Sequence, residues 1–287
     1  MSATQPVLEH DWLGACRAAA AALRDILLAA DTRAERIAET GTRGEGGDRT
    51  LVIDADAETA VFAQLDALHA RGARFTAISE ERGEIDYGTA GAPPLVIIDP
   101  IDGSTNAKRG LPHHALSIAV ADGPTMGDVV FAYVYDYGPG EEWHAFRGGG
   151  AFLDDVALDA PPEERHTRDG RLELVAMESA RPRYLAAAGP ALVAHVDRLR
   201  VLGCISVSLC QLADTRVDGM LTLWGTRAVD AAAAQLVVRE SGGLVSFVLD
   251  ADADPLGARL ADLEARLHLV AARTPESLAR LAEIPAA

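Results

Sequence analysis

In LVIIDPIDGSTN, residues 95–106, two carboxylates three positions apart close an apolar run. Asp99 and Asp102 follow a β-branched stretch preceded by Pro93 and Pro94, the pattern of a buried strand. In layered folds of strands and helices, loops, helix N-termini and ligands meet at the carboxyl ends of such strands. A second run, RFTAISEE, delivers Glu80 and Glu81 in the same way. A hard divalent cation needs several oxygen ligands, which makes Glu80, Asp99 and Asp102 a candidate metal set. Each acid taken alone has a plainer alternative as a turn former or helix cap.

The residues between the acids supply a geometry. Pro100 is expected to halt the strand after Asp99, and Gly103 lets the backbone turn sharply. Both carboxylates and the Ile101 carbonyl can then face one point. Ser104 follows near a helix N-terminus, where the Gly103 and Ser104 amides can receive a phosphate while cations neutralise its remaining charge. A fourth acid, Asp230, opens the helical run in VDAAAAQLVVRESGG (229–243), which Gly242 and Gly243 end. Periodicity alone favours a plain N-cap there.

Other elements must position these groups. Residues from about 8 to 40 read as an amphipathic helix or helix pair, with Leu13, Ala20, Leu23, Leu27 and Ile37 at roughly helical spacing. GTRGEGGDRT, 41–50, is a glycine-rich loop, either a connector or a mobile flap. IDADAETAVFAQLDALHARG reads as a second helix that ends near Gly72. From ALSIAVAD through DVVFAYVYDY to EEWHAFRGGGAFL the pattern is an antiparallel meander. The polar stretch 155–170, with its Pro pair, is the best boundary and divides 1–155 from 156–287. Beyond it strand-like and helical pieces alternate, from RLELVAM to PESLARLAEI.

The whole chain narrows the function classes. Its 287 residues can bury a substantial core, in one large domain or two smaller ones. With 49% hydrophobic, 24% charged and 5% aromatic residues it is globular rather than disordered. The formal net charge of -17 argues against nonspecific nucleic-acid binding. It also requires that an anionic substrate be met by cations that reverse the local field. Cys16, Cys204 and Cys210 form neither zinc spacing nor an even disulfide framework, which suits a reducing cytoplasm. MSATQPVLEHDW lacks a basic region followed by an apolar one, and AAAAALRDILLAA is interrupted by Arg24 and Asp25, so neither export nor a membrane span is expected.

SEE at 79–81, DPIDGSTN at 99–106 and VDAAAAQLVVRESGG at 229–243 resemble the three signatures of the inositol monophosphatase family. These are magnesium-dependent, lithium-sensitive sugar phosphatases, and IDADAE at 53–58 resembles their Asp-x-x-x-Glu segment. The resemblance implies an α+β fold, the five-layered αβαβα sandwich of the sugar phosphatases, with an N-terminal α+β half, a C-terminal α/β half and assembly as a homodimer. It implies two or three Mg2+ per active site. Glu80, Asp99 and the Ile101 carbonyl would hold one ion, and Asp99, Asp102 and Asp230 a second; a third would lie towards Glu80 and the loop before Asp54. Ser104 and Asp54 occupy the positions that activate water in the family, and with Glu80 they make the expected catalytic set. Expected substrate contacts are Asp102, Gly103, Ser104, Gly203, Cys204 and Arg200. The products would be a free polyol and phosphate.

Departures bear on the substrate. Animal-type members carry an aromatic residue after the TN pair, a Trp before the late Asp and a Glu that contacts inositol hydroxyls. Ala107, Val229 and Thr222 stand in those places here. STNAKRGLP, FAYVYDYGPGEEWHAFRGGGAFL and RVLGCISVSLCQLA are similar to the archaeal-type branch, whose members hydrolyse inositol phosphate and often fructose 1,6-bisphosphate. Residues 41–50 occupy the place of that branch's mobile catalytic loop, which favours the flap. Arg181, Arg183 and Arg200 are candidates for a second phosphate. His113, His114, Trp143 and Trp224 read as packing groups, and Gly203 and Cys204 as backbone contacts rather than thiol chemistry. Histidinol phosphate and 3'-phosphonucleotides are alternative substrates, the latter disfavoured because that branch has Lys-Glu where Thr105-Asn106 stand. Two further alternatives are a protein-interaction regulator that retains the fold and a metal-binding protein without turnover.

Overall fold

The computed structural model describes residues 6–30, 39–43, 49–159, 163–248 and 252–286. Asp11 accepts a hydrogen bond from the Gly14 amide at 2.9 Å and starts helix α1 (Trp12–Ala29). Its buried residues, among them Trp12, Cys16, Ala20, Leu23 and Leu27, recur at helical spacing. This helix covers the first part of the helix or helix pair expected over about 8–40; 31–38 lie outside the described residues, and a strand begins at Glu39. Strands β1 (Glu39–Arg43) and β2 (Arg49–Leu51) pair antiparallel where a continuous loop was expected over 41–50. Of that predicted loop, 44–48 lie outside the described residues. Helix α2 (Val52–Ala70) follows at once and packs on α1.

Strands β3 (Thr76–Ser79) and β4 (Gly83–Asp86) form a hairpin, and β5 (Leu95–Asp102) runs parallel to β3. After the short helix α3 (Ser104–Arg109), the meander continues through β6 (Ala115–Ala121), β7 (Val129–Asp136), β8 (Glu141–Phe146), β9 (Gly150–Leu153) and β10 (Val156–Ala157). The eight strands lie in the order β10-β9-β8-β7-β6-β5-β3-β4. Next come β11 (Leu172–Glu178), α4 (Pro182–His195), β12 (Val196–Arg200), α5 (Ile205–Ala213) and β13 (Gly219–Thr222). The chain closes with α6 (Ala228–Glu240), β14 (Leu244–Ser246), β15 (Val270–Ala272) and α7 (Pro275–Ala282). The second sheet has the order β12-β11-β13-β15-β14.

Alternation along the strands sorts the side chains into three cores. Val96, Ile98, Leu116, Ile118 and Val120 face α1 and α2. Leu95, Ile97, Ala115, Ala119 and Ala121 face the opposite way, into a core shared with α5, α6 and the second sheet. Leu172, Val175, Met177 and Leu221 face α4 and α7 on the far side. The layers therefore run α, β, α, β, α. Helix α6 is buried from Ala228 to Val238, and its run of alanines lets two sheets close on it. Among the described residues no helix is long and apolar enough to cross a membrane.

Pro100 does not end its strand. β5 continues to Asp102, with Asp99 opposite Ser117 and Asp102 opposite Ala115, so three steps on one strand face two on the other. Proline donates no hydrogen bond, and the ladder absorbs it as a bulge instead of stopping.

Candidate active site

Strand pairing brings the first acids together. Ser79 lies opposite Ile98 in the parallel β3–β5 pair, so Glu80 and Asp99 emerge side by side at the carboxyl ends. Asp99 continues the face of Leu95 and Ile97, which looks into the layer containing α6. The first turn of α6 presents Asp230 to that point, and carboxylate oxygens of Glu80, Asp99 and Asp230 lie within 4.8 Å of one another. Asp230 is not the N-cap that periodicity favours. Arg227 is the N-cap, and Asp230 is the third helical residue. Its Oδ2 accepts from the Arg227 amide at 3.0 Å and the Thr226 hydroxyl at 2.7 Å. The other oxygen remains to face the acids.

Asp102 stands apart from this trio. Its Oδ2 accepts from both the amide and the hydroxyl of Ser206 at 2.6 Å, and from the Cys204 thiol at 3.2 Å. The bulge turns Asp102 towards the start of α5, where free amides favour an anion. Asp99 in turn accepts from the Ile101 amide through Oδ1 at 3.0 Å.

The charges are crowded. Burial, then Glu80, Asp102 and Asp230, push the Asp99 carboxyl well up from its ordinary value. Burial raises Glu80 to about 7 against the pull of Arg227, and burial together with Asp230 raises Asp102 to about 6. Arg227 supplies a cation: its Nη1 lies 2.7 Å from Glu80 and its Nη2 3.6 Å from Asp230. A buried all-oxygen donor set partly neutralised by a guanidinium fits a hard divalent ion of the Mg2+, Ca2+ or Mn2+ class better than a soft metal.

Two turns lock face to face beside the acids. Gly103 has φ +81, and a Cβ there would lie 2.8 Å from the His113 carbonyl oxygen and 3.0 Å from that of Gly203. No other residue satisfies both the dihedral and the space. The amide nitrogen of the Asn106 side chain donates to the His113 carbonyl at 2.9 Å and to the Leu202 carbonyl at 2.7 Å. From behind, Glu178 at the end of β11 accepts from the amides of Leu202 at 3.1 Å and Gly203 at 2.9 Å, and from the Ser208 hydroxyl at 2.7 Å. Burial pushes Glu178 up to about 7. Helix α3 has only six residues, so an anion beside it would meet individual amides more than a helix dipole.

Sequence reasoning missed Glu178, Ser206 and Arg227. Glu178 carried a legible signal, since it closes an apolar run in the sequence as Glu80 and Asp99 do. Ser206 carried none, because its partner Asp102 is remote in the chain; Arg227 stands three residues before Asp230, a local spacing that went unused, while its contact with Glu80 is remote.

The remaining candidates have defined places. Asp54 is buried in the first turn of α2, with Lys108 of α3 at 3.8 Å, and Ser104 opens α3. Glu58, one turn after Asp54, bonds the Ser79 hydroxyl and accepts from the Arg82 amide at 3.2 Å, which anchors the strand end that carries Glu80. The Cys204 thiol is buried, and burial with Asp102 pushes its pKa well up. Arg181, Arg183 and Arg200 are all exposed. Arg200 donates to the Leu199 carbonyl at 2.9 Å, and Arg183 lies over the Tyr184 ring at 4.6 Å. His113 does more than pack, since its Nδ1 lies 3.0 Å from buried Asp136. His114 stacks on Tyr137. Trp143 is fully buried, whereas Trp224 stacks on Tyr184 and is still 41% exposed. Thr222 is buried, and its hydroxyl accepts from the Leu269 amide at 3.1 Å within the second sheet.

The family model of the inositol monophosphatase family matches residues 7–284. The chain belongs to this family. It is 30% identical over 238 residues, 80% of each chain, to a protein of Methanothermobacter thermautotrophicus named fructose-1,6-bisphosphatase/inositol-1-monophosphatase. It is 34% identical over 173 residues to the Nus factor SuhB of Haemophilus influenzae, which covers 59% of this chain and 62% of that one. The crystal structure of an inositol monophosphatase-fructose 1,6 bisphosphatase shares the fold with a TM-score of 0.76 at 22% identity, over 96% of this chain and 99% of that one. As a member of the inositol monophosphatase family the protein is a metal-dependent phosphatase of small phosphorylated substrates, built on the αβαβα arrangement described above.

Proposed function

We propose that this inositol monophosphatase family member hydrolyses a phosphorylated polyol or sugar, inositol monophosphate or fructose 1,6-bisphosphate foremost, with Mg2+ as its cation. Glu80, Asp99, Asp102, Asp230 and the Ile101 carbonyl would hold two or three ions. A divalent cation in such a set acidifies a water and neutralises charge on the phosphoryl group and the departing oxygen. The chain's own residues do the rest. Gly103 and Ser104 present amides to the phosphate, the Asn106 and Glu178 hydrogen bonds hold that turn against Gly203 and Cys204, and Ser104 with Asp54 receives the proton of the attacking water. The observation that carries this reading is the convergence of Glu80, Asp99 and Asp230, from three separate elements, within 4.8 Å.

A cytoplasmic homodimer belongs to the same reading; the three cysteines are buried and unbridged, which suits a reducing compartment. Phosphate release from inositol, fructose, histidinol and nucleotide phosphates, with Mg2+ and with a chelator, tests it. Cation-dependent turnover of a polyol or sugar ester is expected, and no release from any ester would refute it. The name of the Haemophilus relative favours one second reading, a regulator that works through a protein partner. Robust phosphate release would argue against that role as the sole one.

A further inference from the structure

Arg227 sits inside the carboxylate set that the proposed function assigns to a divalent ion, and the following rests on that reading. Its side chain is 17% exposed, and its Nη1 meets Glu80 at 2.7 Å. It holds Asp230 from two directions, with Nη2 3.6 Å from Oδ1 and the backbone amide 3.0 Å from Oδ2. Two of the three clustered acids are thus engaged by one residue. A guanidinium and a divalent ion seek the same oxygens and repel each other at short range, so both cannot occupy them fully. Without Arg227, Glu80, Asp99 and Asp230 would face one another uncompensated in a buried site.

We propose that Arg227 is a built-in counter-cation of the active site: it holds Glu80 and Asp230 together before a divalent ion arrives, and that ion must displace it. Cation uptake is then a competition within the chain. The guanidinium weakens the apparent affinity for the ion and, in return, stabilises the metal-free fold. Its backbone stays fixed as the N-cap of α6, so only the side chain needs to move.

The test is a calorimetric Mg2+ titration of the metal-stripped full chain, wild type against Arg227→Met, which keeps length and removes charge. The variant should bind Mg2+ more tightly by about tenfold or more, the scale on which groups around a ligand set act. Its melting temperature should fall in chelator and recover with Mg2+. Unchanged or weaker Mg2+ affinity in Arg227→Met would overturn the proposal, including the case where Arg227 serves only the substrate phosphate and its loss raises KM alone. If the variant does not fold without metal, chelator competition on Mg2+-purified protein gives the same comparison: Arg227→Met should need more chelator than wild type, and less would overturn it. A wild type that takes up no Mg2+ would instead remove the proposed function itself.

Discussion

Replacing Gly103 by alanine tests whether the two locked turns matter to both stability and turnover. A residue with a Cβ at φ +81 carries a left-handed penalty of about 1–2 kcal/mol. The added methyl would also sit 2.8 Å from one backbone carbonyl oxygen, 3.0 Å from another and 3.2 Å from the Cys204 Cβ, where ordinary contact begins at 3.4 Å. Moving three segments apart by several tenths of an ångström adds about 1–3 kcal/mol. Gly72 is the control, with φ +107 and nothing within 4 Å of a methyl placed there, so Gly72→Ala should cost the dihedral term alone. Urea denaturation in Mg2+ should therefore rank Gly103→Ala below Gly72→Ala by about 1–3 kcal/mol. The same displacement moves the Ser104 amide and Asp102 relative to the other acids, and kcat/KM for a polyol phosphate should fall by about tenfold or more. A Gly103→Ala protein as stable as Gly72→Ala, with undiminished turnover, would refute the argument from close approach.

Asp99→Asn and Asp230→Asn should each lower Mg2+-dependent phosphate release by about a thousandfold, a loss of ligand charge that the fold does not replace. In chelator Asp99→Asn should melt no lower than wild type, because a carboxylate crowded by Glu80, Asp102 and Asp230 has gone; a drop in its metal-free melting temperature would contradict this. Stability of the metal-free protein should fall as pH rises from about 4 to about 7. Glu80 and Glu178 near 7 and Asp102 near 6 are all raised, so the folded state binds more protons over that window. Glu178 alone, moved from 4.5 to about 7, accounts for about 3 kcal/mol. Urea midpoints in chelator at pH 5 and pH 8 measure it, and a flat or rising profile would be the wrong sign. Cys16, Cys204 and Cys210 are buried, and burial pushes each thiol up, so a colourless-to-coloured thiol reagent should label none of them in native protein and all three in urea.

Much of the candidate site could be read from neighbouring residues. An acid at the close of an apolar β-branched run marks where the core pattern breaks, which singled out Glu80 and Asp99 from local pattern alone. The unbroken apolar run from Leu95 to Ile98 likewise implied a buried strand, and the helical spacing of Leu13, Ala20, Leu23 and Leu27 a helix that packs into the core. Readings failed where the outcome depended on a distant partner. Pro100 became a bulge because β6 continues the ladder past it. The expected loop at 41–50 is flanked by strands because β1 finds β2 across it. Asp230 became the third helical residue once Arg227 took the cap.

What the chain determined by itself was the inventory: which oxygen donors exist, that they lie at the ends of regular elements, and that Gly103 permits the turn between them. Only tertiary structure decided which oxygens remain free to share a cation. Asp102 gives one to Ser206, 104 positions away, Glu178 spends its carboxylate on the turn at Leu202 and Gly203, and Arg227 reaches back to Glu80. The physical reason is that hydrogen bonds and charges act over a few ångströms of space, and positions along a chain become neighbours only once the layers have packed.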